Sequence, residues 1–67
     1  MTKLQNIALT QAIEIVQDRQ FAFTAAILEL EAMQNDTTKY LLSVTIKPTM
    51  EKLNKVSELL QAIQEEG

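Results

Sequence analysis

Lys3 to Gln34 reads KLQNIALTQAIEIVQDRQFAFTAAILELEAMQ, thirty-two residues with no Gly or Pro in a chain of sixty-seven. Apolar side chains recur in it at helical spacing, and neither helix breaker interrupts them, so the spacing predicts one helix over 3–34. At about 1.5 Å of rise per residue it would run about 48 Å. The remaining residues are too few to cover such a rod on all sides.

Leu9, Ile13, Val16, Gln20, Phe23, Ile27 and Leu30 follow alternating steps of four and three, the seam of a heptad pattern. Leu4, Ala8, Ala12, Ile15, Ala22, Ala26 and Met33 form a second stripe beside it. With residues placed 100° apart, the two stripes merge into an apolar arc around about half of the helix circumference. One neighbouring helix cannot cover that arc. The alanines allow close helix approach on one side, and the larger side chains supply bulk on the other. Thr2 is placed to cap the helix, with Gln5 three residues on to complete a capping box.

Asn35, Asp36, Thr37 and Thr38 all favour caps and turns over helix interiors. They predict a turn over 35–38, with Asp36 or Thr37 capping the next element. Residues 39–47 fit two templates. Tyr40, Leu42, Val44 and Ile46 alternate with Leu41, Ser43, Thr45 and Lys47, as in a half-buried strand that stops at Pro48. Leu42, Ile46, Thr49, Leu53, Val56, Leu60 and Ile63 also continue the four-and-three steps of a helix. A lone strand would have to pair across a dimer axis, whereas a helix needs only the bundle. Helix is the preferred reading, broken or kinked near Lys47 by Pro48.

A second helix is predicted over 50–64, with Thr49 as its N-cap and Glu51 in the first turn. Its seam is Leu53, Val56, Leu60 and Ile63, widened by Leu59 and Ala62. Lys52, Asn54, Lys55, Glu58 and Gln61 are expected to face outward, and residues 64–67 to fray. The fold expected is all-α: a helical hairpin with a long N-terminal helix, a shorter C-terminal helix and a short middle element.

Sixty-seven residues bury only about 60% of the surface their unfolded chain exposes. Small domains are usually reinforced by disulfides, metals or association. With no Cys and no His in the sequence, association is the expected remedy. Leu9, Ile13, Val16, Gln20, Phe23, Ile27 and Leu30, with Leu53, Val56, Leu60 and Ile63, are the expected oligomer interface, homomeric or with another chain. Gln20 interrupts that seam, and it is expected to pair with its counterpart across a symmetric dimer or to set the register.

The same lack of His and Cys removes the usual acid, base, nucleophile and zinc chemistry. The single glycine, Gly67, cannot form a phosphate loop. Glu14 and Asp18 lie on the polar arc and read as a solvated face. No enzyme activity, cofactor or metal is expected. Six Lys and Arg against nine Asp and Glu give a net charge of −3, which argues against a chain held by phosphates. Lys39, Lys47, Lys52 and Lys55 nevertheless cluster, and a small dimeric nucleic-acid-binding regulator is the alternative reading. No uncharged run reaches the length of a bilayer span, and the expected location is the cytoplasm.

Three residues stand out as candidate partner contacts. Phe21 and Leu28 lie seven apart on the otherwise polar arc, on the side of Ile7 and Ala25, and Arg19 points into the apolar arc. The expected function is a small protein-interaction module: an adaptor, a regulator or inhibitor, or an assembly chaperone.

Overall fold

The computed structural model describes all residues, Met1–Gly67. It is an all-α hairpin without strands. α1 spans Lys3–Met33, α2 Asp36–Leu41, a π-helical turn Leu42–Ile46 and α3 Lys47–Glu66. α2, the π turn and α3 run on without a break, so the short middle element is the first part of the returning arm. Each arm is thirty-one residues long, and the Cα atoms fill an envelope of 50 × 15 × 12 Å.

The capping box at the start of α1 is complete. Gln5 N–H donates to Thr2 Oγ1 at 3.1 Å, and Thr2 N–H donates to Gln5 Oε1 at 3.0 Å. Each bond satisfies a backbone donor that the helix start would otherwise leave free. The turn is shorter than the polar tetrad suggests. Gln34 takes a left-handed conformation (φ 53°) and Asn35 an extended one, and α2 begins at Asp36. The cap is Asn35 rather than Asp36 or Thr37. Its Oδ1 accepts from Thr38 N–H at 2.8 Å, and its carbonyl accepts from Thr38 Oγ1 at 3.0 Å. Two bonds to one residue let Thr38 lie buried.

Of the break or kink expected near Lys47, the break does not occur and a local distortion does, a π turn over Leu42–Ile46 that ends against Lys47; Thr49 is not an N-cap. Pro48 has no N–H to donate to the carbonyl four residues back, and its ring crowds that carbonyl. The strain is taken up just upstream by the π turn, where Lys47 N–H reaches the Leu42 carbonyl, five residues back. Thr49 sits inside the helix and donates through Oγ1 to the Thr45 carbonyl at 2.7 Å. The wide turn also straightens a face. Thr38, Leu42, Ile46 and Met50 are four apart and all at least half-buried. On a regular α-helix three such steps would overshoot by about 120°.

The other departures are at the C-terminus. Residues 64–66 stay helical instead of fraying, with Gly67 N–H donating to the Ile63 carbonyl. On α3 the inward line runs Leu53, Ser57, Leu60 rather than Leu53, Val56, Leu60. Ser57 is buried, whereas Val56 and Ile63 are 42% and 49% exposed. A nearly straight helix advances 3.6 residues per turn, so a seam written on a strict 3.5 repeat drifts off the contact line. Ser57 Oγ accepts from Gln61 Nε2 at 3.1 Å, which pairs the polar group that burial would otherwise penalise.

Candidate functional site: the exposed apolar faces

Only Ile13, Leu42, Thr38 and Ser57 are buried, two apolar and two polar side chains. A hairpin has one internal interface, and here it is formed along the α1 seam. Leu9, Val16, Gln20, Phe23, Ile27 and Leu30 are half-buried and Ile13 buried against the returning arm, as are Leu53 and Leu60 on that arm. Gln20 does not wait for a counterpart in another chain. Its Nε2 donates to Asn54 Oδ1 at 2.8 Å, which draws Asn54 from the expected outward face to the edge of the interface. At the open end Gln64 Nε2 donates to Thr10 Oγ1 at 3.4 Å. The two hydrogen bonds fix how the arms are aligned.

Thirteen large apolar side chains remain exposed, and helical geometry sorts most of them into two faces. The second stripe of α1, with Leu4, Ala8, Ile15, Ala22, Ala26 and Met33, lies about 100° from the seam. Val56, Leu59 and Ile63 lie at a similar angle from the contact line of α3. Because the arms are antiparallel, the two stripes turn to the same side of the hairpin. A groove of about 430 Å³ lined by Met1, Gln5, Ala8, Leu9 and Ile63 joins them at the open end. The result is a largely apolar face made by both arms, with Arg19 near its middle and Gln11, Glu29 and Lys52 also on it. A depression of about 250 Å³ lies there, lined by Ile15, Asp18, Arg19 and Ala22.

Phe21 and Leu28 form a separate ridge on the far side of α1, 78% and 65% exposed. No part of the middle segment packs over them. Arg19 cannot belong with them: two residues along a helix is a rotation of about 200°, so Arg19 and Phe21 lie on nearly opposite sides. The three expected partner contacts fall on two faces.

The lysines do not share a surface either. Lys39 and Lys47 line a groove of about 360 Å³ with Leu30, Glu31, Leu42 and Ser43. Lys52 lies about 140° around α3 from Lys47. One groove therefore holds two lysines and a glutamate, and Lys52 and Lys55 point elsewhere. Tyr40 is exposed, but in the company of Leu41 and Val44.

No helix is long and apolar enough to cross a membrane. No family model, curated protein or solved structure matches the chain.

Proposed function

We propose that the chain is a non-enzymatic protein-interaction module of the cytoplasm, an adaptor, regulator or assembly chaperone that works by presenting apolar helix faces. The observation that supports this reading is the number of large apolar side chains left exposed on the two helical arms. Single exposed apolar residues are ordinary, whereas contiguous apolar faces on a small domain mark interaction sites. The Phe21 and Leu28 ridge is the external docking site. Two apolar anchors seven residues apart match the way an amphipathic helix meets a groove.

The test is affinity capture with the tagged chain beside a Phe21→Ser, Leu28→Gln variant. The expected result is a bound protein that survives added salt and is lost with the variant. A bound nucleic acid whose retention falls steeply with salt would overturn the reading. So would a protein retained equally by the variant.

A further inference from the structure

Gln34 and Asn35 alone make the corner of the hairpin, and neither is a residue type that stops a helix. Helices that end on a left-handed residue usually place Gly there, because a Cβ strains that conformation. Here Gln34 holds it, at φ 53°, although Gln ranks with the good helix formers. From Met1 to Lys47 the sequence has neither Gly nor Pro. No backbone hydrogen bond outside the helices runs from α2 back to α1. A helix that ran on through both residues would pair backbone groups that the corner leaves to caps and water.

Such a helix would carry its inward residues on one stripe. Leu30, Gln34 and Thr38 are four apart. At 100° per residue, with the π turn absorbing one residue, the inward line of Thr38, Met50, Leu53, Ser57 and Leu60 falls within about 20° of the α1 seam. A hairpin does not require this, because the rotation at its corner is free to bring any two stripes face to face. Pairing of one long helix with another does require it. We propose that two copies of the chain exchange returning arms: each straightens at Gln34 and Asn35, and α1 of each packs against the returning arm of the other.

The hairpin's own interface commits the occupant to a second copy, because exchange reuses contacts that the single chain already makes. Ile13 and Leu53 stay covered, Gln20 bonds Asn54 of the copy, and Gln64 bonds Thr10 of the copy. Those two pairings place the two-fold axis near Thr37. Exchange of identical elements is self-complementary by construction, and short strained hinges favour it. The only new contacts lie about the axis. There the inward residues of each copy are Gln34, Asn35 and Thr38, all uncharged, and Asp36 is turned about 180° away from them. The exposed apolar faces take no part, and the Phe21 and Leu28 ridge lies outside the exchanged interface in both forms.

Sedimentation equilibrium should show 7.6 kDa giving way to twice that mass as concentration rises, with the full chain unfolded and refolded at each concentration so that arms exchange. Gln34→Gly relieves the left-handed residue of the hairpin and weakens the straight helix, so it should raise the dissociation constant at least tenfold. Asn35→Ala removes a cap that only the hairpin uses and favours helix, so it should lower the constant at least tenfold. The chain has no cysteine of its own, which allows a second readout. Gln20→Cys chains refolded together with Asn54→Cys chains should be joined by a short bismaleimide into a mixed dimer. Neither variant alone should link to itself, because equivalent sites in the exchanged dimer lie about 50 Å apart. A monomer at all concentrations, a dimer without the mixed link, or a dissociation constant unmoved by Gln34→Gly overturns the proposal. Capture of a partner by the ridge is tested separately and is independent of all three results.

Discussion

Gln34 has the one positive φ in the chain, at 53°, and it sets the point where α1 stops. An L-residue in that conformation pays for contact between Cβ and the following carbonyl, and glycine does not. Gln34→Gly should therefore stabilise the hairpin by about 0.5–1 kcal/mol, after allowing for the extra freedom of glycine in the unfolded chain. On a domain of this size that raises the melting temperature by a few degrees, and a lowered value would contradict the account of the turn. Asn35→Ala acts in the opposite direction. It removes the acceptor for Thr38 N–H and should cost about 1 kcal/mol, as loss of a cap does. At this scale the sequence was legible for Thr2 and Gln5, whose capping box needs only local spacing. Asn35 to Thr38 was harder to read. Four residues of similar preference compete for one cap, and the hairpin closure, which no local signal encodes, selects the first of them.

The π turn is where the two local templates for residues 39–47 are resolved. Their alternation suits a strand, but an isolated strand leaves its backbone groups unpaired, and the continuous helix pairs them while burying Leu42 to 5% exposure. Pro48 is then kept inside a helix at the expense of one widened turn. The missing donor and the wide turn leave this segment the least firmly bonded part of the returning arm. Amide hydrogen exchange should be faster over Leu42–Ile46 than over Lys55–Leu60, since local opening follows weak hydrogen bonding and thin packing. Pro48→Ala restores a donor to the ladder and should slow exchange in that stretch by at least about tenfold. Uniform protection along the arm, unchanged by the substitution, would rule out the proline as the cause of the bulge. The α1 seam was readable because seven residues repeat the same steps over twenty-two. The α3 seam was only half readable. Over its shorter length, steps of 53, 56, 60 and 53, 57, 60 differ by one residue, and hydrophobicity favours Val56 while packing favours Ser57.

For the whole molecule the governing quantity is how little the hairpin encloses. Two buried apolar side chains and a strip of half-buried ones are a small return for ordering sixty-seven residues, when backbone order alone costs on the order of 1 kcal/mol per residue. The breadth of the apolar arc, visible in the sequence as two stripes on one helix, already carried that imbalance. Which stripe the chain uses for itself was not visible, because both are apolar and only closure of the turn decides between them. If the chain associates through its apolar faces, part of its stability comes from association, and its melting temperature then depends on protein concentration. If unfolding and dissociation are one step, a hundredfold dilution lowers stability by about 2.7 kcal/mol, which lowers the melting temperature by on the order of 10 °C. Circular dichroism melts across that concentration range measure it directly. A melting temperature that stays fixed would mean that the hairpin is stable alone, and that the apolar faces serve other chains without contributing to its own fold.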